Sequence, residues 1–126
     1  MINRSQFVPL SLLLGLLSGC GSSGPELGIV SGTVTLDGQP LDGATVIFQP
    51  EVGKASFGRT DESGRYELRY LKDTMGAVVG PHQIEIRLAG DSTPVEPLPA
   101  RYNDQSELTA DVVKGDNPLD FKLLSK

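Results

Sequence analysis

Apolar and polar residues alternate with a period of two along most of the chain beyond residue 29, as is typical of half-buried β-strands. The clearest example is Arg65–Tyr70, in which Tyr66, Leu68 and Tyr70 share one face and the charged residues between them share the other. Glycine, proline and aspartate turns separate the alternating stretches. The pattern predicts seven strands, over residues 30–36, 44–49, 56–60, 65–70, 83–88, 108–112 and 119–123.

No part of this region shows a helical period. We therefore predict that residues 29–126 form a single all-β domain, a seven-stranded immunoglobulin-like (Ig-like) β-sandwich. The short strand at Ser56–Thr60 is predicted to lie at a sheet edge, where a partner protein could add a strand of its own. Residues 71–79 have no clear pattern and are predicted to form a loop. Residues 91–99 contain three prolines and therefore cannot lie inside a sheet.

The N-terminal segment has the features of a secretory signal peptide, predicted to be residues 1–19. Arg4 is its one basic residue, and an apolar run from Phe7 to Leu17 follows. This run is shorter than the roughly 20 residues that a membrane-spanning helix needs. The sequence Leu17-Ser18-Gly19-Cys20 resembles the bacterial lipobox, in which an aliphatic residue and two small residues precede a cysteine. The resemblance implies that a diacylglyceryl group is added to Cys20, that the signal is cleaved before it, and that the new amino group is acylated, as by palmitate.

Lipid attachment at Cys20 predicts a protein that is exported and anchored to a membrane. Two or more acyl chains hold a protein stably on a bilayer, whereas one chain binds only marginally. Residues 20–28 contain many small residues and are predicted to include a flexible tether. Gly21 rather than Asp follows the cysteine, which in enteric-type bacteria permits transport onward to the outer membrane. We therefore predict a position at the outer membrane or the periplasmic face of the cell envelope.

The charge of the chain limits its partners. Its 16 acidic and 11 basic residues give a formal net charge of −5, which becomes more negative once Arg4 is removed with the signal. An acidic surface argues against nucleic acid and against electrostatic adsorption to anionic lipid. The expected partners are the membrane, through the acyl chains on Cys20, and an unidentified envelope protein. Cys20 is the only cysteine, so the chain cannot form an internal disulfide and must rely on core packing.

Glycine-containing turns join alternating stretches in Gly32–Leu41, Gly43–Phe48 and Thr60–Tyr66. The first two segments are similar to the opening of carboxypeptidase-regulatory-like domains of the transthyretin (prealbumin) type, and the third is similar to the T-D-x-x-G-x-Y turn and strand of these domains. Gly80–Ile86 and Pro99–Tyr102 also fit small bacterial lipoproteins that carry such a domain. The resemblance implies a transthyretin-like β-sandwich over nearly the whole mature chain. The shared residues are structural, with glycines at positive φ and prolines at turns, and they imply no activity.

The residue types needed for catalysis or for a metal site are sparse, and we predict no catalytic, cofactor-binding or metal-binding residue. His82 is the only histidine and lies in register with the apolar face of its strand, so it is predicted to pack at the rim of the core. The acids of the turns, such as Asp37 and Asp61, are predicted to cap their own backbone rather than to bind calcium. Lys122 falls on the polar face of the last strand, which argues against the isopeptide bond of related pilin and adhesin domains.

The predicted function is therefore that of a lipid-anchored cell-envelope protein, with a non-catalytic β-sandwich in a structural or protein-interaction role. The alternative is an envelope module that binds a small ligand, a carbohydrate or calcium. For a carbohydrate, the candidate stacking residues are Phe57, Tyr70 and Tyr102, because sugars pack on exposed aromatic rings.

Overall fold

A computed structural model describes residues 24–90 and 95–126 of the chain. In these residues the backbone forms twelve β-strands and one short 3-10 turn at Ala100–Tyr102, with no α-helix, so the predicted all-β class is confirmed. The strands are β1 (Leu27–Leu36), β2 (Gln39–Pro40), β3 (Thr45–Pro50), β4 (Ser56–Arg59), β5 (Arg65–Glu67), β6 (Arg69–Leu71), β7 (Thr74–Met75), β8 (Ala77–Val78), β9 (Gly80–Arg87), β10 (Leu108–Val112), β11 (Gly115–Pro118) and β12 (Phe121–Leu123).

The first sheet is built around the long strand β1. On one side β1 pairs in the antiparallel sense with β8, β5 and β2 in succession along its length. On the other side it pairs in the parallel sense with β11 and then with β12. Because short strands share each flank of β1, this sheet is narrow. Its pairing begins at Leu27, two residues before the predicted start of the sandwich.

The second sheet is antiparallel throughout, in the order β10-β9-β3-β4-β6-β7. In this order β4 lies between β3 and β6, so the prediction that the Ser56–Thr60 strand lies at a sheet edge is wrong. Alternation reports which face of a sheet a residue is on, but it does not report which strands lie on either side. The two sheets pack face to face as a β-sandwich.

All seven predicted strands are present, as β1, β3, β4, β5 with β6, β9, β10 and β12. The alternation missed four more. Three of these, β2, β7 and β8, are only two residues long, and β11 has the turn-like sequence Gly-Asp-Asn-Pro. Since β7 and β8 lie within residues 71–79, the prediction of a loop there is wrong.

The alternating run Arg65–Tyr70 crosses from one sheet to the other at Leu68. β5 pairs with β1 in the first sheet, whereas β6 pairs with β4 in the second. Between them, the N–H of Leu68 donates to the carbonyl of Val30 at 3.0 Å, and the carbonyl of Leu68 accepts from the N–H of Gly76 at 2.8 Å. Leu68 itself is fully buried. One continuous alternating run therefore contributes a strand to each of the two sheets.

The inward-facing apolar residues of the two sheets form one core. Phe48 of the second sheet and Phe121 of the first have ring centroids 6.2 Å apart in an edge-to-face arrangement, and the ring of Tyr66 is 6.2 Å from that of Phe121. The largest fully buried apolar side chains of the core are those of Val30, Val34, Val46, Phe48, Tyr66, Leu68, Ile84, Ile86, Val112 and Leu123.

A close backbone approach at Gly32 joins β1 to the chain that enters β12. A Cβ atom at Gly32 would lie 1.9 Å from the carbonyl oxygen of Leu119, so only glycine fits there. Gly38 has the positive φ that is expected of the motif glycines, whereas glycine is required at residue 32 because of this close approach. The N–H of Leu119 donates to the carbonyl of Ser31 at 2.8 Å, and the Tyr66 hydroxyl donates to the Leu119 carbonyl at 2.6 Å. Burial raises the pKa of that hydroxyl, which keeps it protonated.

Candidate functional site

The predicted lipidation site, Cys20, and the signal peptide of residues 1–19 lie outside the described residues, so lipid attachment stays a prediction. In the part of the chain that is described, no helix has the length and apolarity to cross a membrane. Lys122 is exposed, whereas its neighbours in β12 face inward. This agrees with the predicted place of Lys122 on the polar face of the strand.

His82 lies in the core, deeper than its predicted position at the rim. The residue is only 3% exposed, and its ring centroid is 5.4 Å from that of Phe48. Its Nε2 atom is 2.6 Å from the carbonyl oxygen of Val78, and because a carbonyl only accepts, Nε2 carries the proton. Within the described residues Nδ1 has no hydrogen-bond partner. His82 therefore packs between the layers and ties β8 to β9.

The acids of the turns make hydrogen bonds that hold the fold together. One oxygen of Asp61 accepts from the N–H groups of Ser63 and Arg65, which is the predicted capping of its own turn. Asp37 differs, because its carboxylate accepts from the hydroxyl and the N–H of Ser125, 88 residues away. These bonds hold the pKa of Asp37 below its usual range. Over residues 24–90 and 95–126, no three His, Cys, Asp or Glu side chains converge in a way that would hold a metal ion.

Of the three aromatic residues predicted as sugar-stacking candidates, only Phe57 is largely exposed, at 47%. Tyr102 is buried, and its hydroxyl accepts from the N–H of Leu124 at 3.0 Å. Tyr70 is half-buried, and the Nζ atom of Lys54 lies 5.4 Å from its ring centre. Phe57 is therefore the one of the three that is placed to meet a ligand.

Three arginine side chains converge on a groove between β4 and β5, which we call the arginine groove. Arg59 comes from the end of β4, Arg65 from β5 and Arg69 from β6. The groove has a volume of about 520 Å³. The strands β4 and β5 are neighbours, but β5 pairs with β1 rather than with β4. The groove exists because no ladder of hydrogen bonds joins β4 to β5. Its lining also includes Asp61, Glu67 and Met75.

The guanidinium groups of the arginine groove are only partly engaged. Neither Arg59 nor Arg65 has a described carboxylate within 4.0 Å. Arg69 donates from Nη1 to the carbonyl of Lys72 at 2.9 Å. The groove thus combines three positive and two negative charges, on a chain whose net charge is −5.

Phe57 lies beside the arginine groove, on the same face of the second sheet. It is paired with Arg69 across β4 and β6, and Arg69 is paired in turn with Met75 of β7. Arg59 follows two residues later on the same face of β4. An exposed aromatic residue thus has one arginine across the ladder and another two residues further along its own strand. Alternation places Phe57 and Arg59 on one face, but the approach of Arg69 depends on the crossing at Leu68, for which the sequence carries no signal.

A second groove, of about 440 Å³, lies where β3, β9 and β10 run side by side. Gln49, Gln83 and Thr109 form one row across these strands on their outer face. Both amide groups are already engaged, since Nε2 of Gln83 donates to the carbonyl of Ser106 and Nε2 of Gln49 to that of Pro50. His82 is among the residues that line this groove, but no arginine or lysine is. It therefore offers fewer free donors than the arginine groove.

Comparison with known proteins finds similarity only at the level of solved structures. No protein family and no curated protein matches the chain. Among solved structures, it is similar to a DUF3823 family protein from Parabacteroides merdae, with 13% sequence identity and a TM-score of 0.49. The alignment covers 79% of this chain and 46% of that protein, so the chain spans about half its length.

Proposed function

We propose that this protein is a lipid-anchored component of the bacterial cell envelope whose β-sandwich has a non-catalytic, structural or interaction role. The observation that carries the proposal is the lipobox-like sequence Leu17–Cys20 and its short distance from the sandwich. Leu27 opens β1 seven residues after Cys20. Seven extended residues span at most about 25 Å, so acylation of Cys20 would hold the sandwich close to the bilayer surface.

The non-catalytic role is supported by the way the titratable side chains are used. His82 is packed in the core against Phe48. The carboxylates of Asp37 and Asp120 accept hydrogen bonds from residues on other parts of the chain. These groups serve the fold. The outer face of the second sheet, with Phe57 and the arginine groove, remains as the surface best suited to contact a partner.

The finer proposal is that the sandwich is related to carboxypeptidase-regulatory-like domains. The segment Thr60–Tyr66, which resembles their turn motif, is a turn here, in which Asp61 accepts from two N–H groups and Gly64 has a φ of +78°. A Cβ atom at Gly64 would also lie 2.6 Å from the carbonyl oxygen of Val34. Two physical constraints therefore require glycine at this position, which agrees with a structural role for the motif.

Substituting Cys20→Ser in the full chain tests the anchor. The variant should incorporate no labelled palmitate analogue and should no longer sediment with membranes, because the thiol that would carry the lipid is gone. Ser22→Ala, two residues further on, is the matched control and should behave as wild type. The sandwich should unfold at the same temperature in all three proteins, since residues 20 and 22 precede β1.

Two results contradict the lipid anchor. One is a wild-type protein that incorporates no labelled lipid when expressed in a bacterium that processes lipoproteins. The other is a Cys20→Ser variant that incorporates as much label as wild type, or that stays in the membrane fraction after high-salt and carbonate washing.

A further inference from the structure

The arginine groove concentrates positive charge on a protein that is acidic overall. Three of the chain's 11 basic residues line it, together with two acids. The two acids are Asp61 and Glu67. One carboxylate oxygen of Asp61 already accepts hydrogen bonds from the N–H groups of its own turn. An anion that enters the groove therefore meets more guanidinium groups than carboxylates.

The N–H donors of these arginines are available to a ligand. Arg59 and Arg65 have no ion pair within 4.0 Å among the described residues, and the hydrogen bond described for the Arg69 side chain uses only Nη1. A guanidinium group presents its donors in a planar fork that matches a carboxylate or phosphate. Three strands thus direct such forks at one groove.

Phe57 adds an apolar surface next to two of these cations. The side chain is exposed, and in a sheet the Cα atom of Phe57 lies roughly 5 Å from that of its ladder neighbour Arg69 and roughly 7 Å from that of Arg59, two residues along the strand. These spacings are of the order of one sugar ring. A ligand that uses the whole constellation needs a flat apolar face with anionic groups beside it.

We propose that Phe57 and the arginine groove bind an acidic glycan, a chain of sugars that carry ring carboxylates. Phe57 stacks on the apolar face of one sugar ring, and Arg59 and Arg69 pair with carboxylates next to that ring. The groove volume of about 520 Å³ lies within the roughly 300–1,000 Å³ of small-ligand sites. A bare phosphate would leave Phe57 unused, and a neutral glycan would leave the arginines unused. This inference makes the proposed function more specific. It rests on that function only for the cellular location in which the protein encounters the glycan.

Calorimetric titration of the full chain, purified in detergent, with a galacturonic acid trimer tests this site. We expect saturable binding that is lost when the trimer's carboxyl groups are methyl-esterified, because the ester has no charge to pair with arginine. Arg59→Gln and Arg69→Gln should each weaken binding about tenfold. Lys114→Gln is the matched control, since it removes an exposed cation that lies outside the groove, and it should leave the affinity unchanged.

Phe57→Ala separates an acidic glycan from a simple anion. It should weaken binding of the trimer about tenfold and leave any binding of inorganic phosphate unchanged. The inference is overturned if the trimer does not bind, if its methyl ester binds equally well, or if phosphate alone binds as tightly as the trimer. It is also overturned if the arginine variants or Phe57→Ala bind the trimer as wild type does. Circular dichroism verifies that each variant is folded, as expected for exposed positions.

Repeating the titration with the Cys20→Ser variant tests the glycan site independently of the proposed lipid anchor. Binding of the trimer by that variant supports the site whether or not lipid is attached. A protein that is acylated but does not bind the trimer overturns the glycan site alone. A protein that binds the trimer but is never acylated overturns the anchor alone.

Discussion

Gly32→Ala should destabilise the sandwich strongly, because Leu119 occupies the space that a Cβ atom at residue 32 would need. That Cβ atom would lie 1.9 Å from the carbonyl oxygen of Leu119 and 2.6 Å from its carbonyl carbon. Both atoms belong to the backbone and cannot swing away as a flexible side chain would. The oxygen must therefore move from 1.9 Å to at least 3.0 Å away, the limit that real Cβ contacts respect.

Such a movement breaks the hydrogen bonds that hold Leu119 to the first sheet. Its N–H donates to Ser31 at 2.8 Å and its carbonyl accepts from Tyr66 at 2.6 Å. Next to it, the N–H of Thr33 donates to Asp120 at 2.8 Å. Each bond contributes about 1 kcal/mol net, so losing all three costs about 3 kcal/mol. The lower freedom of alanine in the unfolded chain offsets about 0.4–1 kcal/mol of this.

The free energy of unfolding should therefore fall by about 2–3 kcal/mol. For a domain of this size, the melting temperature should fall by about 10–20 °C. Urea and thermal unfolding followed by circular dichroism measure both quantities. Gly90→Ala is the matched control, because a Cβ atom there meets nothing within 4 Å and its φ is not positive. A Gly32→Ala protein that unfolds within about 2 °C of the control would refute the close approach of Leu119.

Two further predictions concern carboxylates that accept hydrogen bonds from the backbone. The N–H and the hydroxyl of Thr33 donate to Asp120 and hold its pKa below its usual range. A carboxyl whose folded pKa is depressed contributes stability that is present above its unfolded pKa and is lost as pH falls through its folded pKa. Asp120→Asn should therefore make urea stability less dependent on pH in the acid range, from about pH 5 downward. Glu96 accepts from three backbone N–H groups, two of them directly after β9. Glu96→Ala should speed hydrogen exchange at these three amides and leave exchange within β1 unchanged.

Matched acids elsewhere on the surface control for the loss of charge. The side chains of Asp111 and Glu107 make no hydrogen bond described in the structure, so Asp111→Asn and Glu107→Ala should leave both measurements as in wild type. If Asp111→Asn flattens the pH dependence as much as Asp120→Asn does, the bonds from Thr33 are not its cause. If the three amides exchange equally fast in wild type and in Glu96→Ala, the carboxylate does not hold them.

The faces of the strands can be predicted from the sequence because the period of two is a local property of extended backbone. Ile84 and Ile86 alternate with the polar residues Gln83, Glu85 and Arg87, and both are buried in the core. The motif at Cys20 is local in the same sense, since it consists of four consecutive residues. The Asp61 turn is also local, because its hydrogen bonds stay within four residues.

The neighbours of each strand cannot be predicted in this way. β4 has the short length of an edge strand but lies between β3 and β6. The crossing at Leu68 is invisible to alternation, because a strand that changes sheets keeps the same side facing the core. β11 has turn residues throughout and is a strand only because β1 lies beside it. These features depend on pairing between segments that are distant in the chain.

The sequence by itself determined the all-β class, the inward faces of the main strands and the lipobox-like motif, because each depends on residues close together in the chain. Only the tertiary structure decided that Gly32 meets Leu119 and that Phe57 lies next to Arg69. The physical reason is the same for both. A backbone contact or a shared groove depends on which strands become neighbours, and packing of the whole core selects those neighbours.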